Sequence, residues 1–381
     1  MPSKEDAKRE YEEFREQFSH DKTASESGDW FINLVKWMLE NYSKNVDADY
    51  IKRTYPGAGS DNQAKKAISL AAKYASLVGG ASGAAITGLE LSIPASAGTS
   101  SLIAVPSIGA AVLADVAATT RIQLRTTYDL SVIYDAPLSV EDADDCYFIF
   151  MAAMGIKAYE AVGSVAKAVS PRIIAYNVRK LLRTGLRKGL VMAFSRVAGT
   201  KLAKKLTERA MMRLLVPGIN IPLCAGGNYW FTRTMLSTAR SHMRRRGAVV
   251  QPLIRLFFSD SSISPLLPLK AMIAVMESPQ REGWDGMQLE ALRYSQSYLA
   301  LSDNEIGELD GWFERGVGHV LGELPELSAN EGEALIDYLT TCAALGLKDH
   351  DQKYGESINQ IAKRLDADFS QTSIATKRKK L

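Results

Sequence analysis

Residues 171–190 read PRIIAYNVRKLLRTGLRKGL, and within them Ile174, Val178, Leu182, Leu186 and Leu190 recur every fourth residue beside Arg179, Arg183 and Arg187. That recurrence follows the 3.6-residue turn of an α-helix and not the two-residue alternation of a strand. A second row repeats it, with Leu202, Leu206, Ala210 and Leu214 running beside Lys201, Lys205, Arg209 and Arg213. Outward from these rows the periodicity stays helical, with no sustained alternating run bounded by Asn-Gly or Asp-Gly turns. The fold class is therefore all-α. Residues 29–43 (DWFINLVKWMLENYS) predict a further amphipathic helix started by Asp29, and the loop Pro56-Gly57-Ala58-Gly59-Ser60 precedes a helix from Asn62 toward Val78.

The chain has 381 residues, enough for two or three domains, and its 46% hydrophobic content excludes a disordered polymer. A formal net charge of +3 excludes a uniformly basic nucleic-acid coat. The balance hides a segregation: residues 161–250 hold 18 basic side chains and one acidic, Glu208, between two acidic regions. Such a layout suits either an anionic partner outside the molecule or docking of the acidic C-terminal part on the basic middle. On these shifts the chain divides into an N-terminal helical arm (1–48), a basic helical domain (49–250), an acidic helical bundle (251–372) and a disordered basic tail (373–381). Three scattered cysteines and a charged start, MPSKEDAKREYEEFREQF, without a secretory apolar core fit the cytoplasm, and the basic region adds the expectation of a peripheral place on the inner face of the membrane.

Between Glu90 and Asp115 lie 24 uncharged residues, LSIPASAGTSSLIAVPSIGAAVLA. Length alone permits a span, since about 20 apolar residues suffice. Pro94 and Pro106 remove backbone donors, however, and favour a buried hairpin of closely packed small residues over a membrane-inserted one. A second uncharged stretch, LLVPGINIPLCAGGNYWFT, is interrupted by Pro217, Pro222 and a Gly-Gly pair.

No GxxxxGK[ST], HExxH or GxSxG occurs, and the four histidines have no metal or triad spacing. The expectation is a non-enzymatic protein. In the C-terminal part, Ser302-x-x-Glu305 and Ser328-x-x-Glu331 read as capping boxes. Asp285-Gly286 followed by Glu290 is echoed about 66 residues later by Asp351 and Glu356. Packed face to face, Asp285, Glu290, Asp351 and Glu356 would offer oxygen ligands to Mg²⁺ or Ca²⁺; turn chemistry and helix N-terminal charge explain the same acids without a metal. An EF-hand is excluded, because Lys353 and Tyr354 occupy its ligand and glycine positions.

The segment from Tyr55-Pro56-Gly57 to Pro106, Asp115, Arg121 and Tyr128, with the later VPGINIPLCAGGNYWFTRTMLSTA, resembles the EcsC family over about residues 50–250. It departs at Tyr134-Asp135, where a Tyr-Gly is often found. Residues from about 265 to 370 resemble a TerB-like (tellurite resistance) domain through Asp285-Gly286 and Glu290 and their echo, although Gln352 follows Asp351 where a second glycine would complete the repeat. These resemblances imply helical bacterial proteins, cytosolic or membrane-peripheral, tied to stress response or defence, with no accepted reaction. The TerB likeness adds a divalent ion and an interaction module, making the acidic bundle a site for a protein partner. Arg179, Arg183, Arg187, Lys201, Lys205, Arg209 and the run Arg244, Arg245, Arg246 are the expected contacts to an anionic lipid surface or membrane protein, with nucleic acid as the alternative.

Overall fold

The computed structural model describes residues 41–95, 101–138, 220–258, 263–277, 286–309, 311–312 and 315–381, with single residues between 5 and 16. Among them every regular element is helical. They group into two compact units: one takes the described residues up to Ile133 with residues 137–138 and 220–240, the other Tyr134–Ala136 and Ser241–Leu381. The units therefore part at residue 240, whereas composition placed the change at 250. Residues 241–250 contribute His242, Arg245 and Arg246 to contacts within the second unit, which composition does not register.

In the first unit, helix α1 (Ala48–Thr54) starts at Asp47, whose carboxylate accepts the Tyr50 amide at 2.7 Å. Helices α2 (Ser60–Ala95) and α3 (Ser101–Ile133) pack along one another. On α2, Ala64, Ala67, Ala71, Ala75 and Val78 recur every three or four residues and all are buried; Ala111, Ala114, Ala117 and Ala118 are their buried counterparts on α3. The prolines expected to break these helices do not: Pro94 is the penultimate residue of α2 and Pro106 lies in the second turn of α3. Each forgoes a single i to i−4 hydrogen bond within two turns of a helix end, and the remaining turns keep theirs. The same holds for helix α4 (Asn220–Leu256), which carries Pro222 in its first turn and runs on through Gly226-Gly227. At Gly79 a side chain would collide with the Cys224 carbonyl, so the two backbones meet where only glycine fits. Among the described residues no helix is long and apolar enough to cross a membrane.

The second unit is built round helix α5 (Leu266–Glu277), of whose twelve residues ten are buried. A helix apolar on all sides must be surrounded. Helices α7 (Asp303–Leu309), α8 (Val317–Glu323), α9 (Ala329–Leu345) and α10 (Asp351–Arg364) surround it, and α6 (Gly286–Leu299) packs on α9. Both expected capping boxes form: the Ser302 and Ser328 amides each donate to the carboxylate of the glutamate three residues on at 2.8 Å, and the glutamate amide donates back to the serine hydroxyl at 3.4 Å. Asp135, at the position of the expected Tyr-Gly, has φ 53°, the left-handed conformation that glycine adopts most easily and aspartate tolerates. Its carbonyl accepts from Gln251 at 2.8 Å, holding this turn within the second unit.

The tail expected to be disordered is instead a helix, α11 (Thr372–Lys380), packed on α9 and α10. Its four consecutive cations resemble a solvated tail in composition. In the fold Ile374 is fully buried, Lys377 pairs with Asp337 at 2.6 Å and Arg378 pairs with Asp351.

Candidate functional site

Of the residues expected to form an anion-binding surface, Arg179, Arg183, Arg187, Lys201, Lys205 and Arg209 lie outside the described residues. The run Arg244-Arg245-Arg246 lies on α4 and does not form one exposed patch. Successive residues of a helix point about 100° apart, so three in a row cannot share a face. Arg246 is 5% exposed and lies over the Tyr294 ring with its guanidinium 5.7 Å from the centroid. Arg245 lies 3.1 Å from His242 Nδ1 and 3.5 Å from Glu290 Oε2. The expectation of a surface cluster is thus corrected: Arg245 and Arg246 serve buried partners of their own chain.

The expected metal carboxylates fare similarly. Glu290 is buried against His242, at 2.7 Å between Oε1 and Nδ1. Burial alone would push its carboxyl up, but the His242 hydrogen bond and charge, with Arg245 and the Tyr294 hydroxyl, outweigh this and hold it below the ordinary carboxylate range. Asp351 is bound by Arg378, and Glu356 is exposed, accepting from Gln352 at 3.0 Å. Asp285 lies outside the described residues. Among those described, no group of three or more His, Cys, Asp or Glu is placed to hold a metal. The two turn-and-helix copies do meet, but through neutral groups: Gln288 on α6 donates to the Tyr354 hydroxyl on α10 at 2.8 Å. Glu290 and Asp351 thus meet cationic groups of their own chain, and Glu356 a neighbouring amide.

A polar seam runs through the first unit. Asp115, Thr119, Gln123, Thr127 and Ser131 recur every fourth residue on α3, and all are buried. Asn228 on α4 donates to Asp115 at 2.8 Å and to Thr119 at 3.2 Å, and Gln123 donates to Thr232 at 3.1 Å. The structure therefore joins Asp115 to Asn228, residues from the two stretches that carry the EcsC resemblance and 113 positions apart. Sequence reasoning stopped at Asp115, the end of the uncharged stretch, and did not read this stripe. Its signal was the four-residue polar recurrence itself.

Also missed was Asp129, nearly fully buried on α3. It accepts the Tyr55 hydroxyl at 2.6 Å and the Tyr42 hydroxyl at 2.9 Å, and the Tyr50 hydroxyl lies 3.0 Å from that of Tyr42. The Arg125 guanidinium lies over the Tyr42 ring, 5.3 Å from its centroid. Burial pushes the Asp129 carboxyl up to about 7, against the opposing pull of the two phenols and Arg125. Burial and the Asp129 charge raise both phenols beyond their ordinary range.

The outer face of α4 carries the opposite kind of residue. While Asn228 and Thr232 are buried, Trp230 is 68% exposed, flanked on the same face by exposed Gly226, Arg233 and Thr234. Tyr229 lies beside them, its hydroxyl 3.4 Å from Arg233 Nη1. Comparison with family models, curated proteins and solved structures finds no match to the chain.

Proposed function

We propose that the protein is a non-enzymatic, membrane-peripheral binding protein of the stress-response or defence type, EcsC-like in its first part and TerB-like in its second. Its basic middle region docks on anionic lipid headgroups. The observation that carries this reading is Trp230, a large aromatic held in solvent on a helix that buries asparagine and threonine, with the Arg233 guanidinium one turn along the same face. Tryptophan is the side chain that partitions most readily to the boundary between headgroups and acyl chains, and a neighbouring arginine adds attraction to anionic lipid, about 1 kcal/mol when close to the surface. The 18-to-one excess of basic residues in 161–250 supports the same partner. One arginine amid glycine and threonine is a poor match to a phosphodiester backbone, which is held by several cations at once.

Sedimentation with vesicles tests this. The expected outcome is binding to phosphatidylserine-containing but not to pure phosphatidylcholine vesicles, weakened by salt, and reduced several-fold by Trp230→Ala and by Arg233→Glu. Equal binding to both vesicle types removes the electrostatic basis. Salt-sensitive retardation of DNA without vesicle binding establishes the nucleic-acid alternative instead.

A further inference from the structure

We propose that the C-terminal end of α9, together with Asp337 and Asp351, is a recognition site for a cationic amphipathic helix of a protein partner, and that α11 fills it as a built-in, exchangeable competitor. The last carbonyls of a helix have no partners within it and carry the negative end of its dipole. At the end of α9 the Arg378 guanidinium takes up this role, donating to the carbonyls of Ala343 and Gly346 and to the Asp351 carboxylate. About two turns back along α9, Asp337 receives Lys377 at 2.6 Å and also binds Arg255.

The ligand pattern is short. Ile374, Lys377 and Arg378 stand three and four residues apart, so they share one face of α11, and Ile374 is the helix's sole buried residue. Lys379 and Lys380 remain exposed. Nine residues are too few for a helix to persist alone in water, and one isoleucine buries little area, so α11 is folded by the site and held there by charge. The site, by contrast, is built without α11: α9 packs on α5, α6 and α10, and Asp351 opens α10. Residues 365–371 tether α11 to the end of α10. A short tether keeps its effective concentration high, which a partner helix overcomes by presenting the same Ile-x-x-Lys-Arg face with a longer apolar stripe. This inference does not rest on membrane docking, since it requires no lipid.

The test uses the full-length chain with Arg378→Ala, which weakens the resident helix, and a fluorescent peptide of residues 370–381 read by anisotropy. The expected result is at least tenfold tighter uptake of the native peptide by the variant than by the unaltered chain. Uptake should decline with salt and be lost when the peptide carries Arg378→Ala. Failure of the variant to bind the peptide while its α9 amides keep their hydrogen-exchange protection overturns the proposal, as does equal binding of the two peptides. If the variant does not fold, hydrogen exchange on the unaltered chain decides: α11 amides exchanging at least 100-fold faster than those of α9 supports exchangeability, and equal protection overturns it. A concentration-dependent dimer of the unaltered chain that dissociates when the peptide is added would replace the protein partner by a second copy.

Discussion

Asp129 in the first unit and Glu290 in the second are both buried carboxyls that accept hydrogen bonds from aromatic side chains, yet their proton affinities move in opposite directions. Asp129 is met by the neutral hydroxyls of Tyr42 and Tyr55, and its carboxyl is pushed up to about 7 because phenols do not restore the solvation lost on burial. Glu290 is met by His242 and Arg245 and is held below its ordinary range. Burial alone does not set the charge of an interior acid; the groups that donate hydrogen bonds to it decide whether the desolvation cost is offset.

The largest expected consequence is in pH dependence. A folded-state value of about 7 against an ordinary 3.8 means that the folded first unit binds the Asp129 proton more tightly than the unfolded chain does. Its contribution is therefore fully present below the ordinary value and is lost as pH rises through about 7, a change of about 4 kcal/mol across some three pH units. Hydrogen exchange of α3 amides between pH 4 and 8 measures it, and Asp129→Asn is expected to flatten the profile. An unchanged profile in that variant would break the comparison. Glu290 runs the other way, since its folded value is lowered. Its contribution is present above the ordinary range and is lost as pH falls through the folded value. Glu290→Gln removes the carboxylate from a buried charged cluster and is expected to destabilise the second unit by about 3 kcal/mol in urea unfolding followed by α6 exchange, with little effect on α3. Asn228→Ala sharpens the contrast within the first unit. Deleting a donor to Asp115 and Thr119 is expected to cost about 2 kcal/mol, read as earlier urea unfolding of α3 amides.

The polar seam and the α5 core show a related contrast in construction. On α3, a hydrogen-bonded row of Asp115, Thr119 and Gln123 specifies its partners on α4, so its alignment depends on matched groups. Helix α5 is held by apolar burial, which is non-directional and tolerates volume-conserving exchange. The first kind of contact is the harder to read in a sequence. Both capping boxes were legible because donor and acceptor lie three residues apart. Asp115 and the stretch holding Asn228 both stood out along the chain, but the pairing of the two residues across 113 positions did not.

Local signals decided what they physically control. The recurrence of apolar residues every third or fourth position specified helices, and Ser-x-x-Glu specified where two of them begin, because both act within a single turn of backbone. Tertiary structure alone decided the fate of the charges. The arginines at 245 and 246, the acids at 290 and 351 and the first two cations of the C-terminal run, Lys377 and Arg378, all read as surface chemistry along the chain, and each meets a group tens of residues away. Composition counts charges without their distances, and the strength of a charge's interactions depends on distance and on the water excluded between partners.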